Sequence, residues 1–330
     1  MQPNLFHFAT SELSQDAFLC WFLSWASDHN KDANAHLNDI AKSFMALIYS
    51  RAELDVPAVF STVEVKKQVN GIDILCIVNN DMAILIEDKV GTKQHSQQLQ
   101  RYKKYLLEDL GFTSEKVIPL YIQTRDQSDY LEVEEHGFHV IRRCDLLAIF
   151  EGEKGIIACE KNDILHDFSD YLRELENDIQ SYATLPISEW TWNSWIGFYS
   201  EIQKHLQCGH WGYVPNPAGG FLGYWWHSIE AEGCSVYAQL EMEKFCFKIC
   251  VYDHEQRAEL RHLWHGKIKV ASLKHGLRSM RPKRFGSGDY MTVAILEQEY
   301  RVTNSDSRIN LVETLKVLKT AQLVIDECLS

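Results

Sequence analysis

The N-terminal part of the chain begins with a helical pattern of apolar residues. Leu13, Ala17 and Trp21 recur at a spacing that places their side chains on one face of a helix. We therefore expect a helix over 11–27, whose first residue, a serine, can act as the N-cap. A second stretch of the same kind predicts a helix over 36–51.

The hydrophobic period then changes from helical to extended. Val59–Val69, Ile72–Val78 and Met82–Lys89 are rich in β-branched residues and are separated by short polar segments. These segments, Asn70-Gly71 and Asn79-Asn80-Asp81, are typical of tight hairpin turns. The pattern predicts three consecutive antiparallel strands.

The remainder of the chain predicts a mixture of helices and strands in two domains. Pro186 follows an acidic helix, and seven of the nine tryptophans lie between Trp190 and Trp264, so we place a domain boundary there, giving domains 1–185 and 186–330. The expected helices are 94–110, one from 144, 163–182, 189–206, 254–265 and 307–328, and the expected strands are 117–123, 138–142, 221–228, 233–240, 244–251 and 290–297.

The overall charge argues against a generally polybasic nucleic-acid binder. The chain has 33 basic and 46 acidic side chains, a formal net charge of −13. Such a chain repels a polyanion unless its basic residues are concentrated locally. They are concentrated at 89–104, which holds five basic residues and no acid, and at 255–284, which holds nine Lys or Arg and two acids.

The cysteines and the hydropathy favour a protein of a reducing compartment. The nine cysteines are scattered and form no Cys-x-x-Cys pair, which argues against a disulfide scaffold or a zinc ribbon. Residues 1–8 show no basic region followed by an apolar stretch, as a signal peptide would, and the longest apolar run is about half a membrane span. We expect a cytoplasmic protein with no membrane partner, in which most cysteines are core residues.

The predicted hairpin brings three charged side chains to one face. A turn centred on Asn80 places Asp73 opposite Glu87, and Lys89 points the same way as Glu87 because side chains alternate along a strand. Two facing carboxylates repel each other, unless a divalent cation such as Mg²⁺ lies between them. A salt-bridged surface hairpin is the alternative interpretation.

Asp73, Glu87 and Lys89 resemble the D-…-(D/E)-x-K core of the PD-(D/E)XK nuclease superfamily. The segment Gln98-Leu-Gln-Arg-Tyr102 is similar to the Q-x-x-x-Y helix motif of its RecB-like branch. The segment 12–18 resembles the N-terminal helix of a bacterial family in that branch. The proline that often precedes the first aspartate is replaced by Ile72.

The resemblance, which covers roughly residues 5–150, implies a fold, a reaction and a set of site residues. The fold is a restriction-endonuclease-like α/β core, a mixed sheet flanked by helices, to which the C-terminal part adds an α+β accessory domain. The reaction is phosphodiester hydrolysis with Mg²⁺ or Mn²⁺. Asp73, Glu87, the backbone carbonyl of Asp88 and Glu12 are the expected metal ligands. The expected catalytic residues are Asp73, Glu87, Lys89, Gln98 and Tyr102.

The two basic segments, 89–104 and 255–284, are candidate contacts for nucleic acid. Basic side chains beside loops can follow a phosphate backbone, although they can also be an ordinary solvated surface. DNA is the favoured substrate over RNA, and a partner protein or a homodimer stays open. The candidate binding residues are Lys93, Arg101, Arg278, Arg281, Lys283 and Arg284.

The sequence therefore favours a metal-dependent nuclease, and by resemblance one that acts in defence against foreign DNA. Two alternatives stay open. The chain could be a catalytically silent module that binds nucleic acid or a partner. It could also be a nuclease effector that a ligand or an ATPase partner switches on through the C-terminal domain.

Overall fold

The computed structural model describes residues 3–91, 96–216, 219–231 and 233–329. The chain divides into two compact units, residues 1–177 and 178–330. Each unit has its own sheet and its own hydrophobic core.

The N-terminal unit contains a five-stranded sheet in the order β1-β2-β3-β4-β5. Strands β1 to β3 are antiparallel neighbours, whereas β3, β4 and β5 are parallel. The sheet is therefore mixed. Its elements are α1 Glu12–Ser24, α2 Ala35–Arg51, β1 Val63–Val69, β2 Ile72–Val78, β3 Met82–Lys89, α3 Ser96–Lys104, β4 Val117–Gln123, α4 Leu131–Glu135, β5 His139–Arg142, α5 Arg143–Phe150, α6 Glu153–Glu160 and α7 Asp163–Gln180, the last of which contains the division point.

The two faces of this sheet are covered by different helices. Ile74 and Ile86 point to one face, where they share a core with buried residues of α1, α2 and α5 to α7. Leu75 and Leu85 point to the other face, where they pack with Leu99 of α3. This arrangement confirms the predicted mixed sheet flanked by helices.

The predicted hairpin register is confirmed. Ile74 lies opposite Ile86 and Leu75 opposite Leu85. Val78 pairs with Met82, so the turn contains three residues, of which Asn79 and Asn80 adopt φ of 52° and 54°, a left-handed conformation that asparagine tolerates. The turn thus determines which side chains of β2 and β3 face each other.

The C-terminal unit is a second α+β assembly, as predicted. Its antiparallel sheet has the order β10-β11-β9-β8-β7-β6. The elements are α8 Trp192–Leu206, β6 His210–Val214, β7 Phe221–Ala231, β8 Cys234–Glu241, β9 Lys244–Cys250, α9 Arg257–Lys274, β10 Ser279–Met280, β11 Tyr290–Leu296 and α10 Leu311–Leu329.

Several elements differ from the sequence-based expectation. The predicted helix 254–265 in fact continues to Lys274, because Ile268 and Ala271 extend its buried face beyond Gly266. Strands β6 and β10 and helices α4 and α6 were not expected. All four are short, and short segments carry too few residues for a clear hydrophobic period.

The nine cysteines differ in burial. All nine cysteines are free, and Cys76, Cys234, Cys246 and Cys250 are buried. Cys144 and Cys208, by contrast, are exposed. In the described part of the chain, no helix combines the length and the apolar character needed to cross a bilayer.

Candidate active site

The Lys89 ammonium lies at the centre of a group of acidic oxygens. Its Nζ is 2.6 Å from Oε1 of Glu87, 3.8 Å from Oδ2 of Asp73 and 3.7 Å from Oε2 of Glu12. It also donates a hydrogen bond of 3.1 Å to the carbonyl oxygen of Asp88. The structure therefore brings together the predicted lysine and all four predicted oxygen donors.

Asp73 is held in this position by the adjacent strand. Its Oδ2 accepts a hydrogen bond of 3.0 Å from the backbone N–H of Asp88. The same register that pairs Ile74 with Ile86 places Asp73 beside Glu87 at the end of the hairpin. The two carboxylates consequently lie on one face, as the alternation along the strands predicted.

The electrostatics of the site favour a bound cation. Glu87 is fully buried, and burial together with the charge of Asp73 raises the pKa of its carboxyl to about 7. Burial lowers the pKa of Lys89, but the hydrogen bond and charge of Glu87 outweigh this effect and raise it above its ordinary value. The ammonium thus neutralises a cluster whose carboxylates would otherwise repel each other.

The donor set fits a small divalent cation that retains water ligands. The ammonium occupies a position among two strand carboxylates, a helix carboxylate and a main-chain carbonyl, and Mg²⁺ prefers such oxygen ligands. No group of three or more His, Cys, Asp or Glu side chains is arranged to hold a metal by itself within the described residues. Asp73, Glu87 and the carbonyl of Asp88 are therefore the core of the fit, and Glu12 adds a helix carboxylate whose Oε2 is 3.7 Å from the Lys89 ammonium.

Gln98 and Tyr102 border the same carboxylate. Gln98 Nε2 lies 3.4 Å from Oε2 of Glu87 and also donates to the hydroxyl of Tyr102. That hydroxyl in turn donates to the carbonyl oxygen of Gly71. Gln98 and Tyr102 thus link α3 to Glu87 and to the turn that precedes Asp73.

A buried polar network behind the strand was not predicted. Gln15 of α1 donates a hydrogen bond of 2.6 Å to Oδ1 of Asp88, and its carbonyl oxygen accepts one of 2.7 Å from Thr124 Oγ1. The backbone N–H of Thr124 donates to the carbonyl oxygen of Lys89. The isolated acid at position 88, on an otherwise apolar strand face, was the signal that such partners exist.

Asp16 extends this network toward the edge strand β1. Gln68 Nε2 lies 3.5 Å and Lys67 Nζ 3.9 Å from its Oδ2. Burial and the charge of Asp73 raise the pKa of Asp16 to about 6, and burial raises the pKa of the Asp88 carboxyl well above its ordinary value. A layer of buried acids therefore lies behind the site.

The candidate nucleic-acid contacts fall in three places. Arg101 is exposed and lies over the Tyr102 ring, with its guanidinium carbon 5.4 Å from the ring centroid. Lys93 lies outside the described residues. In the C-terminal unit, Arg278 is exposed, and so are the residues of the basic loop, which we define as Arg281, Lys283 and Arg284.

Comparison with known proteins gives one family match. The family model described as the PD-(D/E)XK nuclease superfamily matches residues 3–183, which is more than half of the chain. No curated protein matches the chain significantly, and neither does any solved structure. The matched segment contains every predicted residue of the carboxylate and lysine cluster.

Proposed function

The chain belongs to the PD-(D/E)XK nuclease superfamily, and on that premise we propose that it is a metal-dependent nuclease that hydrolyses the phosphodiester bonds of DNA. The observation that carries the proposal is the position of the Lys89 ammonium among the oxygens of Glu12, Asp73, Glu87 and Asp88. Action against foreign DNA in the cytoplasm is part of the proposal and rests on the resemblance of the sequence.

Asp73, Glu87 and the carbonyl of Asp88 would hold the metal, with Glu12 assisting. A bound Mg²⁺ or Mn²⁺ would supply Lewis-acid stabilisation of the charge that develops on the phosphate and the leaving oxygen. Both carboxylates are fixed by neighbouring groups, because Asp73 accepts from the backbone N–H of Asp88 and Glu87 is buried. Such preorganised groups lose little entropy when a ligand binds.

Lys89 would orient the attacking water. Its pKa is raised by Glu87, so Nζ keeps its proton at neutral pH and acts as a hydrogen-bond donor rather than as a base. Gln98 would hold Oε2 of Glu87, and Tyr102 would hold the turn at Gly71, which precedes Asp73. Both residues would thus keep the two carboxylates in place.

The test is a cleavage assay on labelled linear duplex, circular duplex, single-stranded DNA and RNA with Mg²⁺, Mn²⁺ or EDTA. Lys89→Ala and Asp73→Asn should each lower the rate by at least about a hundredfold. The matched control is Lys66→Ala, because Lys66 is a half-exposed lysine of β1 that pairs with Glu64. Cleavage by the wild type in EDTA, or an unimpaired Lys89→Ala variant, would refute the proposal.

A further inference from the structure

The sheet of the C-terminal unit has one face packed against helices and one open face. Val236, Ala238 and Leu240 of β8 belong to the hydrophobic core that includes residues of α8, α9 and α10. Tyr237 and Gln239 alternate with them and therefore point to the opposite face. The helices α8, α9 and α10 contact the strands of this sheet, and the core they share lies on the first face.

The open face contains an aromatic groove, a cavity of about 570 Å³ that lies within the size range of ligand pockets. Trp225, Tyr237, Tyr252 and Tyr290 provide its aromatic walls. Tyr252, which follows β9, and Tyr290, the first residue of β11, are 78% and 65% exposed, so most of each ring is accessible to a ligand. The groove thus presents ring surfaces that the fold itself does not use.

Two polar side chains of the aromatic groove, Gln239 and Lys248, contact the same carboxylate. Gln239 Nε2 and Lys248 Nζ lie 3.1 Å and 3.3 Å from the same oxygen of Glu241. An ammonium has three donors and a carboxamide also has an acceptor, so Lys248 and Gln239 retain capacity for a polar ligand beside the rings. This combination suits a planar ligand with hydrogen-bonding edges.

Positive charge lies at the edge of the same sheet. The basic loop belongs to the segment that joins the edge strand β10 to β11, and β11 begins at Tyr290 of the groove. In the part of the chain that the structure describes, no residue of the basic loop forms an ion pair with a carboxylate, whereas the nearby Arg257 pairs with Asp289 and Lys274 pairs with Glu327. The basic loop is therefore available to a polyanion.

We propose that the aromatic groove binds the unpaired bases of a single-stranded nucleic acid whose phosphates contact the basic loop. Aromatic rings that stack bases, combined with positive charge along the backbone, are the chemistry by which proteins hold single strands. A duplex buries the faces of its bases and cannot stack on the groove. The inference rests on the proposed function and specifies its substrate as one with a single-stranded segment.

The test measures equilibrium binding in EDTA, so that cleavage does not contribute. The probes are a labelled single strand of about 12 nucleotides, an abasic strand of equal length, a duplex and a mononucleotide. Trp225→Ala and Tyr290→Ala should each weaken binding of the single strand roughly five- to one-hundredfold. Trp192→Ala is the matched control, because Trp192 is an aromatic residue of α8 that is 43% exposed and does not line the groove.

If the wild type binds the abasic strand as tightly as the normal strand, the inference is overturned. It is also overturned if Tyr290→Ala binds the single strand as tightly as the wild type, because the exposed Tyr290 ring can be removed without disturbing the core. Tight binding of the mononucleotide alone would overturn it in favour of a small-ligand site. If the single strand binds through the groove but no substrate is cleaved with metal, the proposed nuclease function fails and this inference stands. If a duplex is cleaved but the groove variants bind single strands as tightly as the wild type, this inference fails and the proposed nuclease function stands.

Discussion

Replacing Glu87 with glutamine should stabilise the metal-free protein at neutral and alkaline pH. The pKa of Glu87 is raised from its ordinary value of 4.5 to about 7, by burial and by the charge of Asp73. Each pKa unit corresponds to about 1.4 kcal/mol, so ionisation of Glu87 costs about 3 kcal/mol of the free energy of unfolding. Glutamine has the same shape and never ionises.

The pH dependence has a defined sign. Below pH 4.5 the carboxyl is protonated in both the folded and the unfolded chain, and it contributes no difference. Between pH 4.5 and about 7 the unfolded chain loses this proton first, so the wild type loses stability as the pH rises. Above about pH 7 the full cost applies, and Glu87→Gln should exceed the wild type by about 3 kcal/mol.

Thermal and urea unfolding in EDTA between pH 5 and 8 measure this difference. A stabilisation of about 3 kcal/mol corresponds to an increase in Tm of roughly 6–12 °C for a unit of this size. Glu64→Gln is the matched control, because Glu64 lies on β1 of the same sheet with 56% of its side chain exposed. Adding Mg²⁺ should raise the Tm of the wild type but not that of Glu87→Gln.

Two results would refute this reasoning. Glu87→Gln could be no more stable than the wild type at pH 8, which would mean that Lys89 fully compensates the buried charge. Alternatively, the gain could be the same at pH 5 and pH 8, in which case it does not arise from ionisation of Glu87.

Three further changes have expected outcomes. Tyr102→Phe removes the hydroxyl that joins Gln98 to the Gly71 carbonyl, so it should cost about 1 kcal/mol in urea unfolding and slow cleavage; an unaltered rate would remove Tyr102 from the site. Gln15→Ala removes the hydrogen bonds that Gln15 forms with the buried side chains of Asp88 and Thr124 and should cost about 1–3 kcal/mol in urea unfolding; an unchanged free energy of unfolding would mean that water replaces the amide. Charge reversal of the basic loop should lower the slope of log affinity against log salt by about one unit per lost phosphate contact, and an unchanged slope would transfer that role to Arg101.

The core of the candidate site was predictable because it depends on local geometry. The two asparagines at 79 and 80 determine the turn, the turn determines the register, and the register places Asp73 and Glu87 on one face. Lys89 follows by simple alternation along β3. Each of these steps depends on residues that are close in the sequence, so no knowledge of the tertiary structure was needed.

The surroundings of the site could not be predicted in the same way. Gln15, Asp88 and Thr124 come from three elements that meet through helix and strand packing. In the C-terminal unit, the aromatic run at 224–226 gave no indication of which ring would be exposed. The structure buries Tyr224 and Trp226 in the core and leaves Trp225 on the open face, because adjacent residues of a strand point in opposite directions.

The alternation along β3 also explains how the site is connected to the N-terminal helix. Glu87 and Lys89 point toward the carboxylate cluster, whereas the side chain of Asp88 points to the opposite face, where Gln15 holds it. The carbonyl of Asp88 nevertheless contacts the Lys89 ammonium. A single residue therefore contributes its main chain to the candidate metal site and its side chain to the attachment of α1, the helix that carries Glu12. For this reason a change at Gln15 should alter the position of Glu12 as well as the stability of the strand.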